Sequence, residues 1–157
     1  MSNKLKELGK IARNPGWVCF VWFGMTAGIS LLEAPVKFSA PTLTRPVALD
    51  VGRVVFEALN TAELVALIIL LLLVRLSGKA RELWAYCAAI TLIVMVQSIW
   101  LLPLLSSRAE LIVAGTEPAP SIAHAAYATT ELLKLLLLLI LGFHSMMNKP
   151  TQAHPAS

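Results

Sequence analysis

The chain has 157 residues, 57% hydrophobic and 14% Asp, Glu, Lys or Arg, against about 25% charged in an ordinary globular domain. That is the composition of an integral membrane protein. At about 20 residues per span plus connections, the length holds four transmembrane helices and leaves no room for a separate soluble catalytic domain. Thirteen Lys and Arg against nine Asp and Glu give a formal charge of +4, but no basic tract is interleaved with stacking aromatics. Nucleic acid is therefore excluded as a partner, and the excess belongs to the basic flanks of membrane spans.

A basic amino-terminal stretch, residues 1–15, leads into an uncharged run between Arg13 and Glu33. It opens on Pro15-Gly16 and predicts a first helix over 16–34. Ile29-Ser30-Leu31-Leu32-Glu33 offers no small-residue cleavage site, so the segment reads as a retained span rather than a signal peptide. Pro35, Pro41 and Pro46 predict a loop, because each removes a backbone donor and biases its predecessor away from helix. A second helix follows over 50–74, then a basic turn with Arg75, Gly78, Lys79 and Arg81, then a third helix over 83–105 with Pro103 near its end. A Gly/Pro-containing connection, Gly115 to Pro120, leads to a fourth helix over 121–143 and a polar tail, 144–157. The expected fold is all-α, an integral membrane four-helix bundle.

Orientation follows from the basic residues of the short loops. Lys4, Lys6, Lys10, Arg13, Arg75, Lys79, Arg81 and Lys149 share one side, and Lys37, Arg45, Arg53 and Arg108 the other. By the positive-inside rule both termini are expected in the cytoplasm, with a bacterial inner membrane as the location. Gly24-x3-Gly28, Ala58-x3-Ala62 and Ala85-x3-Ala89 are candidate helix-packing seams. Cys19 and Cys87 read as small buried hydrophobes, and Trp17, Trp22, Trp84 and Trp100 as an aromatic belt.

Placed at about 100° per residue, the polar residues of each span fall on one face. In the second helix these are Asp50, Arg53, Glu57, Asn60 and Glu63; in the fourth, His124, Tyr127, Glu131 and Lys134. In the third they are Gln97, Trp100 and Arg108, and in the first Trp22, Thr26, Ser30 and Glu33. With the termini inside, all four faces lie in the outer half of the bundle, above an apolar plug. Intramembrane charges are costly and pair with one another. Arg53 with Glu57 and Glu131 with Lys134 are local pairs, while Glu63 has no cation on its own helix and must be protonated, metal-bound or paired across the bundle.

The leading expectation is an outward-facing, charge-balanced pocket of Glu33, Arg53, Glu57, Asn60, Glu63, Gln97, Trp100, Arg108, His124, Tyr127, Glu131 and Lys134. It would bind a small polar or ionic ligand for transport or proton-linked handling, without enzyme chemistry. Four helices enclose little lumen, so transport implies a homo-oligomer. One alternative is a membrane-embedded enzyme using the Glu/His/Tyr cluster, with a metal ion held by Glu57, Glu63, His124 and Glu131. Another is an accessory subunit of a larger membrane complex. The Glu-x-x-His spacing of di-iron bundles is absent, and one histidine within the spans argues against b-type haem. His144, Met146, Met147 and His154 read as a tail rather than a copper site.

Four segments carry a family resemblance: Trp22-Phe23-Gly24-Met25-Thr26-Ala27-Gly28; Gly52-Arg53-x-x-Phe56-x-x-x-Asn60; Gln97-Ser98-x-Trp100-Leu101-x-Pro103 with Arg108; and His124-x-x-Tyr127. Together, over residues 16 to 143, the chain resembles the TMEM205-like group of small four-span membrane proteins, a bacterial domain of unknown function. The resemblance implies four helices with both termini on one side and transfers no catalytic residue. Glu63, Glu131 and Lys134 stand outside its pattern.

Overall fold

The structure is a computed structural model that describes residues 13–77 and 81–147, the side chains of residues 81 and 82 excepted. Lys4, Lys6, Lys10, Lys79, Lys149, His154 and the Arg81 side chain, used above for orientation and for the tail, lie outside the described residues. Regular structure among the described residues is helical throughout. Four helical rods are long and apolar enough to cross a bilayer: Gly16–Lys37, Arg45–Ser77, Leu83–Val113 and Ala123–Met147. They are called here the first to fourth spans.

The first span packs against the fourth and the second, and the third packs against the second and the fourth. Neighbours are therefore antiparallel around a square, as short connections require. The described ends meet at one end of the bundle, where the Asn14 carboxamide accepts the Gly16 N–H (2.9 Å) and donates to the Ser145 carbonyl (3.2 Å). Closest approach of the first and fourth spans is made by glycines. A Cβ on Gly16 would stand 2.9 Å from the Gly142 carbonyl oxygen, and one on Gly142 3.0 Å from the Phe20 ring and 3.3 Å from Cys19 Cβ. The Gly24-x3-Gly28 seam does not serve this purpose, since a Cβ at either glycine meets nothing within 4 Å.

Every span is longer at one or both ends than the hydropathy pattern predicts. The second begins at Arg45, and the third continues to Val113. The expected loop contracts because Pro35 and Pro46 sit where helices tolerate them, while Pro41 stays in the remaining turn. Pro46 is the second residue of its helix, a position whose N–H would have no intrahelical partner. Pro35 and Pro103 each follow a π-helical segment, Gly28–Glu33 and Gln97–Leu101, in which the hydrogen bonding widens to i→i+5. The widened turn makes room for a ring that would otherwise collide with the carbonyl four residues back, so each rod continues through its proline. At 1.5 Å per residue the 33-residue second span is about 50 Å long, against about 30 Å of hydrocarbon. Its surplus carries Arg45, Asp50, Arg53 and Glu57.

The core has two halves. Toward the end that joins Asn14 to Ser145 lies an apolar plug of Val18, Cys19, Trp22, Leu67, Leu70, Val74, Leu83, Cys87, Ile90, Val94, Leu138 and Leu141. Cys19 and Cys87 are free thiols buried within it. Above the plug the interior turns polar.

Candidate functional site: a buried ion cluster under an apolar-walled cavity

Lys134 is fully buried, and its ammonium has three partners: Glu63 (2.7 Å), Glu131 (2.8 Å) and the Gln97 carbonyl oxygen (2.8 Å). An ammonium has three hydrogens to donate, so the set is complete. Glu63, with no cation on its own helix, is thus paired across the bundle. Its Oε1 also accepts the Trp22 indole N–H (2.9 Å) and the Thr26 hydroxyl (2.8 Å). Gln97 faces Lys134 with its oxygen and donates its amide nitrogen to Glu131 Oε2 (2.9 Å) and Thr130 Oγ1 (3.1 Å). The reverse orientation would set donor against donor. The four spans thus converge on one ammonium with two carboxylates around it.

Trp22 belongs to this cluster and not to an aromatic belt. It is 1% exposed, whereas Trp17, Trp84 and Trp100 face outward. Hydropathy could not separate them, because a tryptophan one turn from a span end fits either role. The available signal was that Trp22, Thr26 and Ser30 share a face with a four-residue repeat.

Above the cluster is a half-open cavity of about 580 Å³ lined by all four spans. Glu131 connects the two. Its Oε2 lies in the cluster, its Oε1 accepts the Ser30 hydroxyl (2.7 Å), and the residue lines the cavity floor. Most of the wall is apolar, with Leu31, Phe38, Leu49, Phe56, Leu105 and Leu132 among its residues, so the space is less polar than the sequence pattern predicts. Polar groups are few: Ser30, Lys37, Arg53, Ser106, His124, Tyr127 and Glu131.

The remaining expected site residues are dispersed. Arg53 reaches the rim, where Asp50 (2.9 Å) is a nearer partner than Glu57 (3.9 Å), and Glu110 approaches to 3.5 Å. Glu57 is half exposed and lies near Ser106 of the third span (3.5 Å). Asn60 accepts the Ser98 hydroxyl. Arg108 donates to the Ala119 carbonyl (2.7 Å) and so pins the loop before the fourth span. Arg45 pairs with Glu117 of that loop (2.9 Å). Trp100 is 64% exposed and lies outside the cavity. It was expected on the Gln97 face from a uniform 100° step, but the π-helical turn Gln97–Leu101 advances by less per residue and rotates Trp100 away.

His124 lines the cavity at the first turn of the fourth span. It is not gathered with Glu57, Glu63 and Glu131: among the described residues no three His, Cys, Asp or Glu side chains form a group able to hold a metal. Glu63 and Glu131 have Lys134 between them, and a cation stands where a metal would have to be. Lys37, which the expected pocket did not include, has a side chain 10% exposed. It lies at the cavity wall 3.3 Å from Glu33, with its ammonium 5.7 Å from the Phe56 ring centroid and 5.9 Å from that of Phe38. Its aliphatic stem folds inward from a position that reads as a loop.

Comparisons with protein-family models, with curated proteins and with solved structures found no match. Four apolar helices suited to crossing a bilayer make this chain an integral membrane protein by its architecture.

Proposed function

We propose that this chain is a non-enzymatic membrane protein whose cavity takes up a small ionisable ligand, and that Glu131 couples occupancy of the cavity to a proton. The observation that carries this reading is the division of one carboxylate between two environments. Glu131 Oε2 is held by obligate donors, the Lys134 ammonium and the Gln97 amide, while Oε1 meets the Ser30 hydroxyl beside the cavity. With Glu63 and Glu131 both ionised, the cluster holds one negative charge more than Lys134 neutralises, and uncompensated charge out of water is expensive. A proton on Glu131 Oε1 balances it. The serine hydroxyl accepts as readily as it donates, so this oxygen can carry a hydrogen without losing its partner. Glu63 has no such freedom, because an indole N–H and an ammonium can only donate.

The groups facing Glu131 are Ser30 from the first span, Glu63 from the second, Gln97 from the third, and Lys134 and Thr130 from its own helix. Positive-inside counting supports an outward-facing cavity with cytoplasmic termini. The segments shared with the TMEM205-like group supply Gly52, Arg53, Phe56, His124 and Tyr127 of the cavity wall, which supports membership of that group. Infrared difference spectra of variants against the parent test the proton. The reading expects a protonated-carboxyl band that disappears in Glu131→Gln and persists in Glu33→Gln. A band indifferent to Glu131 would remove it.

A further inference from the structure

We infer that the ligand of this cavity is an anionic amphiphile, one acidic head on an apolar body, with its head held by Lys37 and Tyr127. The inference rests on the reading of the cavity as a binding site and adds the chemical class of what it holds.

Three observations carry it. Tyr127 is 8% exposed and lines the cavity, with its ring edge-on to Phe56 (centroids 5.7 Å apart, planes at 87°). No described residue hydrogen-bonds to its hydroxyl, which is open to the cavity rather than sealed off, so its O–H is available to a ligand. Lys37 is the second. Its ammonium gives one hydrogen to Glu33, and no other described residue accepts from it. Phe38 and Phe56 hold it in place at cation–π distance. Gly52 makes the position available: a Cβ there would stand 2.8 Å from the Lys37 nitrogen, so the absence of a side chain lets the ammonium lie against the second span. Both groups with unused donors thus flank Phe56 at the cavity wall.

The charge of the lining decides the sign of the head. Lys37, Arg53, His124 and Glu131 are the ionisable side chains there besides Tyr127. Glu131 belongs to the cluster around Lys134, where the reading above gives it the balancing proton, and Arg53 is engaged by Asp50, Glu57 and Glu110, whose carboxylates do not line the space. Lys37 is the more sheltered of the two cations, 10% exposed against 30%, and meets one carboxylate where Arg53 meets three, so it calls for an acidic head. The walls decide the rest of the ligand. Leu31, Leu49, Leu102, Leu105 and Leu132 enclose a volume suited to a drug-sized molecule, and such walls recompense an apolar body, not a hydrated ion.

The test uses the full-length protein in nanodiscs and a dansyl-labelled long-chain carboxylate, read as saturable energy transfer from tryptophan. Binding is expected for the carboxylate and not for its methyl ester or for a trimethylammonium amphiphile of equal length. Lys37→Gln should weaken it about tenfold or more, as loss of a charge-assisted hydrogen bond implies. Tyr127→Phe should weaken it several-fold without lowering thermal stability, since the hydroxyl it removes has no protein partner. Gly52→Ala should fall between wild type and Lys37→Gln by displacing the ammonium. Displacement by decanoate alone assigns a free carboxylate, and displacement by phosphatidic acid vesicles a lipid phosphate; either supports the class. Equal binding of acid and ester, or full affinity in both Lys37→Gln and Tyr127→Phe, overturns it. The infrared band of Glu131 is independent of these readings, so loss of the proton coupling and loss of the ligand class are separable results.

Discussion

Lys134 donates to Glu63, Glu131 and Gln97 from the centre of the bundle, and its removal strands two carboxylates away from water. Breaking a buried ion pair on one side costs about 3–5 kcal/mol, far more than the pair itself contributes. Lys134→Met should therefore lower unfolding stability in detergent by that order in the native background. Much less should be lost when Glu63→Gln and Glu131→Gln are already present. Equal costs in the two backgrounds would show that the cluster is not coupled. The tryptophans offer a second contrast at this scale. Trp22→Phe removes an N–H donor to a carboxylate, worth about 1.5–3 kcal/mol. Trp100→Phe alters an outward-facing ring and should stay within about 0.5 kcal/mol. Chemical denaturation of the two variants side by side checks the ranking. Both residues stand in equally apolar sequence, so burial and the contact with Glu63 distinguish them.

At the scale of elements, the interface of the first and fourth spans is set by how closely two backbones approach. Gly142→Ala would press a methyl group against Cys19 and Phe20, and overpacking of this kind costs about 1–3 kcal/mol. Gly24→Ala and Gly28→Ala meet open space and gain helix propensity, so their thermal unfolding should match or exceed that of the parent. The small-residue rule singles out Gly24 and Gly28 and passes over Gly16 and Gly142, because it has no information on which face meets a neighbour. The π-helical turns make the same point about register. Deleting Ile99 from Gln97–Leu101 should relax that turn to α and keep Leu102, Leu105 and Ala109 on the cavity wall, because a π-turn holds one residue more than the α-turn it replaces. Circular dichroism should then show unchanged helicity, and binding of the dansyl carboxylate should be retained.

For the whole molecule, the two halves of the core predict a reactivity map. Cys19 and Cys87 are buried in the plug and should resist a membrane-impermeant maleimide in intact vesicles. Ser106→Cys and Ala128→Cys place thiols at the cavity and should react from one side of the membrane, and Leu138→Cys should not react. Labelling from outside agrees with the cytoplasmic termini expected from the basic residues, and labelling from the opposite side reverses the orientation. The apolar plug, the four rods and the gathering of polar faces at one end were all legible in periodicity and charge placement. Lys134 and Glu131 were legible as a pair because three residues along a helix bring side chains together.

The sequence by itself determined the membrane class, the number of spans and their order, since bilayer thickness acts locally on the chain. Only the tertiary structure decided where the helices end and which charges meet. Prolines that read as breakers are accommodated by widened turns, and Glu63 finds its cation 71 positions away. The cavity, too, is a tertiary property. Its largely apolar wall, the inward fold of Lys37 over Gly52 and the unpartnered Tyr127 hydroxyl depend on four helices meeting at one depth, which no single helix encodes.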